Sequence, residues 1–278
     1  MKPVPFVKMS GLGNDFVIVD NRGGILNEYG VLRFAEKILK HRLSVGGDEL
    51  MLIEEPSTGG DYTMRTINPD GTEVKMCGNA SRCVARYAFV SGIAGKRQSI
   101  DTLGGRVEAL VEGDTVQVGL EATAGPETGF PLEAEGERHT GHSIEISGTP
   151  HLVIFMEGAF RAPGDLIHRL GRALRHHPRF PDGTNVNFIE VPARDLILQR
   201  TYERGVEGET MACGTGATAS ALLCGLLGLA DSPVTVRVPG GDLRVSFRRE
   251  GSSFSGVYLG GGARFVAQGS IHPEAWEY

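Results

Sequence analysis

Positive charge, cysteine and long apolar runs are all scarce in this 278-residue sequence, and no lysine follows Lys96. Each shortage removes a class of protein. A net charge of -6 gives no basic face for nucleic acid. No apolar run approaches the ~20 residues that span a bilayer, so no membrane association is expected. The opening MKPVPFVKMSGLGNDFVIVD lacks the uninterrupted apolar stretch of a signal peptide, and a cytoplasmic location is expected. Four cysteines are too few for a disulfide scaffold. The six lysines all fall at or before Lys96, and none has a recognisable pyridoxal-phosphate setting. What remains is an ordinary globular composition, 40% hydrophobic and 22% charged. It is enough for one large domain or two of roughly 130 residues.

The sequence is written twice. SGLGNDFVIVD at 10–20 resembles SGTPHLVIFME at 147–157, an offset of 137. DELMLIEEP at 48–56 resembles TNVNFIEVP at 184–192, offset 136. MRT at 64–66 matches QRT at 199–201, offset 135. Cys-Gly recurs at 77–78 and 213–214, and Gly-Gly turns recur on Gly104 and Gly240, both at offset 136. Matches in one order at nearly one spacing mark an internal duplication.

Both copies read alike. A β-rich segment precedes an amphipathic helix (roughly 28–41 and 165–176), then two strands (50–55 and 61–67; 185–191 and 196–202). A Cys-Gly turn leads into an apolar helix (79–92; 214–229), and short strands with glycine turns end each copy. The segment 121–142, rich in Gly, Pro, Thr and Glu, reads as the boundary. The expected class is α/β (α+β). Two pseudo-symmetric lobes, 1–122 and 123–263, each wrap a curved, mostly antiparallel sheet around a central helix. A pseudo-twofold between lobes brings equivalent residues to opposite sides of one ligand cleft.

Cys83 and Cys224 lie inside apolar helical patterns and read as core. Cys77 and Cys213 each precede a glycine at a helix start, where backbone N–H groups and the dipole favour negative charge. That setting predicts lowered thiol pKa values and a site for a carboxylate or enolate-like oxyanion. A thiol's ordinary pKa near 8.5 makes both protonation states reachable at neutral pH. One cysteine abstracting a proton and the other returning one to the opposite face would invert a carbon stereocentre. The plainer alternatives are structural cysteines, a Cys77–Cys213 disulfide, and a zinc site. A cytosolic setting disfavours the disulfide, and no HxxxH or CxxC supports zinc. GLG in SGLGNDF is too short for a dinucleotide fingerprint. No metal and no cofactor are expected.

With these motifs in view, the sequence resembles the diaminopimelate epimerase family along nearly its whole length. The resemblance rests on GLGNDF, NPDGTEVKMCGN at 68–79, TNVNF at 184–188 and YERGVEGETMACGTGA at 202–217. It implies a pyridoxal-phosphate-independent conversion of LL- to meso-diaminopimelate in lysine and peptidoglycan biosynthesis. It further implies an amino-acid substrate, a homodimer, and a last strand, 264–278, returning to the first lobe. By position, Cys77 and Cys213 match the catalytic pair. Asn14, Asn68 and Asn185 match substrate-contacting asparagines. Glu203 and Arg204 match the pair reading the distal ammonium and carboxylate, which suits a two-pronged Arg–carboxylate contact. Gly78, Asn79, Gly214 and Thr215 match the anion sites. His151 matches a histidine that tunes the cysteines, its plainer reading being a packed strand-start histidine; Glu203 is given the same tuning role.

Four departures touch the pocket. Thr149 stands where the family often has Asn, and Glu49 where some members have Gln. Ala80-Ser81 replaces Gly-Ala before Arg82, and ERGVEGET is one residue longer than the common form. Competing readings are a proline, hydroxyproline or histidine racemase on the same fold, and a non-catalytic amino-acid binder. Asn79 and the Glu203–Arg204 pair argue for a long substrate with a second charged end.

Overall fold

Both copies of the repeat open with a hairpin closed by two residues at positive φ. In a computed structural model, which describes residues 2–278, β1 (Val4–Gly11) and β2 (Asn14–Asp20) pair antiparallel. They turn at Leu12 (φ 62°) and Gly13 (φ 102°). Later, β10 (Glu137–Ile146) and β11 (Thr149–Phe155), numbered in chain order, turn at Ser147 (φ 48°) and Gly148 (φ 77°). Tight two-residue turns with positive φ match the right-handed twist of the flanking strands. The structural offset here is therefore 135, from Gly13 to Gly148, not the 137 of the sequence match. A shift of two residues keeps every strand side chain on the same face, so the hydrophobic pattern fits both alignments.

The chain divides into two units, Met1–Val118 with Gly261–Tyr278, and Gly119–Gly260. In the first, β2 crosses through α1 (Val31–Ile38) to parallel β3 (Glu49–Glu54), which pairs antiparallel with β4 (Tyr62–Ile67). β4 pairs with the short β5 (Glu73–Val74) and, after α2 (Gly78–Val90), with parallel β6 (Arg97–Thr102). β7 (Gly105–Glu112) and β8 (Thr115–Gly119) continue antiparallel.

The second unit repeats this plan. After β9 (Ala122–Ala134), β10 and β11, α3 (Gly164–Arg175) leads to β12 (Asn185–Ala193), parallel to β11. β13 (Leu196–Glu203) pairs with β12, with β14 (Gly208–Thr210) and, after α4 (Gly214–Leu226), with parallel β15 (Val234–Val238). β16 (Gly241–Glu250) and β17 (Ser253–Gly262) follow antiparallel.

One edge distinguishes the units. β10 is flanked by β9, its sequence neighbour, whereas β1 is flanked by β18 (Arg264–Ile271) from the far end of the chain. The segment 121–142, read as the boundary, begins just past the division between the units and forms most of the β9–β10 hairpin. Its Phe130, Leu132 and Ala134 alternate inward, and Glu135 and Gly136 turn at positive φ. Polar composition masked a strand whose inward residues occupy only its second half.

Each sheet is covered on both faces. In unit 1, Val17, Val19, Leu50 and Leu52 pack with Phe34 and Ile38 of α1, and Trp276 sets its ring 5.0 Å from that of Phe34. The alternate residues Phe16, Ile18, Met51, Ile53 and Met64 are also buried, on the α2 side. In unit 2, Leu152, Ile154, Val186 and Phe188 pack with Ile167, Leu170 and Leu174 of α3. The alternate residues turn toward α4. α1 is shorter than its apolar period predicts, because positive-φ residues, Gly30 (72°) and Arg42 (69°), bracket it. Among the described residues, no helix is long and apolar enough to cross a membrane.

Candidate active site

Two thirteen-residue helices, α2 and α4, start and end at positions 136 apart. Each is entered through a cysteine in extended conformation, Cys77 (φ −130°, ψ 117°) and Cys213 (φ −114°, ψ 106°). The chain stays extended through the thiol-bearing residue and turns helical at the following glycine, which puts each thiol beside a first turn. Neither first turn carries an acidic residue. Two positive dipole ends, each with a thiol attached, suit negative charge.

In unit 1, Asn79 Nδ2 donates to Asn14 Oδ1 at 2.7 Å, so the hairpin end and the start of α2 are tied together. Asn14 Nδ2 in turn donates to Asp48 Oδ2 at 3.2 Å, immediately before Glu49 at the head of β3. Gly11 makes the close approach feasible: a Cβ there would lie 3.0 Å from the Asn79 carbonyl oxygen and 3.3 Å from Cys83 Sγ. Cys77, Gly78, Asn79 and Asn14 therefore gather at one point. Asn68 is engaged locally, donating to Thr72 Oγ1 at 3.0 Å. The sequence reading assigned no role to Arg82, which is 0% exposed. Its Nη1 donates to the Gly78 carbonyl at 3.4 Å, its charge lies against the Cys83 and Cys77 thiols, and burial lowers its pKa.

In unit 2, Cys213 is 3% exposed. Asn185 Nδ2 approaches its sulfur at 3.9 Å and Thr215 Oγ1 at 3.7 Å. Asn185 Oδ1 accepts the Arg204 backbone N–H at 2.7 Å, Glu203 Oε2 accepts from Thr210 Oγ1 at 2.8 Å, and Arg204 Nη1 donates to the Asp182 carbonyl at 3.2 Å. Cys213, Gly214, Thr215, Asn185, Glu203 and Arg204 thus meet at the start of α4. Thr149 opens β11 at the structural equivalent of Asn14, each following its hairpin turn. The extra residue of ERGVEGET is absorbed in an exposed turn, where Val206 is 61% exposed and Glu207 pairs with Arg175 at 3.0 Å.

The thiol expectation needs correcting at Cys213. Burial raises its pKa well above the ordinary thiol range, and the neighbouring Glu203 carboxylate raises it further; hydrogen bonds from the Gly216 N–H and Thr215 oppose both. Desolvation of a nearly inaccessible thiolate outweighs a helix end worth about half a charge. Cys213 is a thiol at neutral pH. Burial likewise pushes Cys83 and Cys224 up to about 12, as befits core residues.

His151 is 0% exposed on β11, in parallel register with Asn185. Its Nδ1 lies 3.3 Å from Asn187 Nδ2. Burial first, then the Arg204 charge, pulls its pKa down to about 3, so the ring is neutral. Asn187, Gln199 and Thr201 were not singled out from the sequence, although polar residues at inward positions of β12 and β13 were a legible signal. Gly216 belongs with them: a Cβ there would lie 2.3 Å from Asn187 Oδ1 and 3.2 Å from Cys213 Sγ. Gly216→Ala is expected to cost about 1 kcal/mol or more by overpacking. Urea denaturation measures this, and an unchanged midpoint would mean the contact relaxes freely.

Known proteins resemble this chain in sequence and share its fold. The sequence model described as Diaminopimelate epimerase matches residues 6–125 and 145–266. A protein named diaminopimelate epimerase from Aquifex aeolicus is 39% identical over 285 residues, covering 98% of this chain and 99% of the relative. Among solved structures, the Bacillus anthracis phenazine biosynthesis protein of the PhzF family superposes with a TM-score of 0.74 at 15% identity, covering 98% of this chain and 100% of that one. A hydroxyproline epimerase from Agrobacterium vitis, with bound trans-4-OH-L-proline, gives 0.71 at 14% identity over 99% and 94%. At such identities the structural likenesses establish the fold.

Proposed function

We propose, from the premise that this chain belongs to the diaminopimelate epimerase family and is an amino-acid epimerase, that it interconverts LL- and meso-diaminopimelate with two thiols and no cofactor. It would thereby serve lysine and peptidoglycan precursor synthesis. The observation carrying this reading is the equivalence of Cys77 and Cys213, which enter matched helices in matched conformations 136 residues apart.

The proton accounting is simple. A thiolate takes the α-proton and becomes a thiol. The C–H electron pair passes into a planar carbanion spread over the carboxylate. The second thiol then gives its proton to the opposite face and is left as thiolate. The raised Cys213 thiol supports a cycle that Cys77 opens as base and Cys213 completes as acid; the reverse reaction exchanges the roles. The N–H groups of Gly78, Asn79, Gly214 and Thr215 hold the α-carboxylate and the charge that develops on it. The amides of Asn14, Asn68 and Asn185 orient the substrate. Glu203 and Arg204 take its distal ammonium and carboxylate, while Glu49 and Thr149 sit where the pocket departs from its relatives.

The test is deuterium wash-in. With LL-diaminopimelate in D2O, the α-proton NMR signal is expected to fade as meso isomer accumulates. Proline, hydroxyproline and histidine are expected to exchange at least about 100-fold more slowly, because they leave the distal polar groups unpaired. Absence of exchange from diaminopimelate at high protein concentration would reject the proposal.

A further inference from the structure

The two units share one fold, so each is a control for the other. Behind the start of α2, unit 1 has Phe16, Met51, Met64 and Ala80, all at most 1% exposed. The equivalent places in unit 2, at offsets 135 and 136, hold His151, Asn187, Gln199 and Gly216. Strand pairing supports the match: Met51 faces Thr66 and Ile53 faces Met64, as Asn187 faces Thr201 and Ile189 faces Gln199. Likewise Val17 faces Leu50 as Leu152 faces Val186, which sets Phe16 against His151. The fold therefore packs well with apolar residues here. Unit 2 instead buries a polar cluster, which costs stability unless every group is satisfied.

The cluster is wired in one sense only. Asn187 Nδ2 lies 3.0 Å from the Leu152 backbone carbonyl, which can only accept. The atom there must be the amide nitrogen, which fixes the side-chain orientation chemically. Asn187 Oδ1 accordingly accepts, from Thr201 Oγ1 at 3.0 Å and Gln199 Nε2 at 3.3 Å. One amide hydrogen goes to Leu152. The other points at His151 Nδ1, 3.3 Å away, which must then be unprotonated. The neutral ring carries its proton on Nε2, and that nitrogen is buried with no hydrogen-bond partner among the described residues. Gly216 completes the device, since only a residue without Cβ leaves room for Asn187 Oδ1.

We infer that Asn187 is a positioning residue that locks His151 as its Nε2–H tautomer, holding a neutral hydrogen-bond donor for an anionic oxygen of the bound amino acid. A neutral imidazole in this form donates without competing with the cysteines for the α-proton. The ring stays neutral through the working pH range because burial and Arg204 disfavour its cation. The inference rests on the epimerase reading, in that the donor's target is the substrate.

The experiment uses the full chain labelled with 15N-histidine, whose ring nitrogens are read by long-range 1H–15N NMR. In the ligand-free protein His151 should show a protonated Nε2 and a bare Nδ1, and LL-diaminopimelate should move the Nε2–H signal downfield. Asn187→Asp puts an oxygen where the amide nitrogen was. That oxygen carries at most one proton, which Leu152 claims, so it accepts from the ring. The tautomer is expected to switch to Nδ1–H, and kcat to fall by on the order of 100-fold or more with KM less affected. If Asn187→Asp does not fold, the wild-type spectrum still decides. An Nδ1–H ring in enzyme that exchanges substrate protons overturns the inference and leaves the function standing. A switched tautomer with unchanged kcat overturns the donor role. An Nε2–H ring in protein that exchanges no substrate proton overturns the function and the substrate-facing half of the inference with it.

Discussion

Replacing Cys77 or Cys213 by alanine is expected to slow epimerisation by on the order of 1000-fold or more, the contribution of a positioned acid or base. Inversion needs a proton removed from one face and another delivered to the opposite face, so losing either thiol breaks the cycle. The internal controls are Cys83 and Cys224. Both are 0% exposed and held as thiols with pKa values of about 12, so Cys83→Ala and Cys224→Ala should keep their turnover. They should instead lose about 1 kcal/mol of stability, for a buried group of methylene size or slightly more. Isomer conversion by NMR and urea denaturation on all four variants separate the outcomes. A Cys77→Ala enzyme of normal rate would remove that thiol from the chemistry.

The second large effect is a pH dependence of stability set by His151. Its pKa falls from the ordinary 6.5 to about 3 in the folded chain. The unfolded chain therefore binds this proton more readily, and stability rises with pH across the interval. The contribution is nearly complete above pH 6.5 and is lost progressively as pH drops toward 3. Between pH 7 and pH 5 the loss is about 2 kcal/mol, the ring being 0% exposed. Most carboxylates titrate below that window, so it reports chiefly on histidines. His142 adds a smaller slope of the same sign, because burial also lowers its pKa. Denaturation midpoints of wild type and His151→Gln at both pH values isolate the larger share, and equal slopes in the two proteins would refute it.

Much of the fold was legible because its signals are local. Strand alternation, the apolar helices 79–92 and 214–229, and glycine at each turn require no knowledge of distant residues. The structure trimmed those helices to Gly78–Val90 and Gly214–Leu226 without moving their starts by more than one residue. Less local features were misread. The first hairpin was aligned two residues off, since a period of two cannot distinguish the registers. The boundary read from composition lies close to the Val118/Gly119 division, but composition hides that β9 runs as a strand there, since its first half is exposed and polar.

The same division runs through the site. The duplication and the motifs around it were enough to single out Cys77 and Cys213, because a turn into a helix is decided by neighbouring residues. The direction of the Cys213 pKa was not. It depends on burial and on Glu203, contributed by a separate strand, and desolvation exceeds what a helix end supplies. His151 was legible as a candidate, but its protonated nitrogen depends on Asn187, on the Leu152 carbonyl and on the room left by Gly216.

The sequence by itself determined the repeat, the kinds of element and the placing of two thiols at helix starts, because these follow from patterns spanning a few residues. Only the tertiary structure decided the register in which β18 pairs with β1, that Cys213 rests as a thiol, and which nitrogen of His151 bears the proton. The physical reason is common to all three: desolvation, hydrogen-bond direction and strand pairing depend on residues that meet only after the chain has folded.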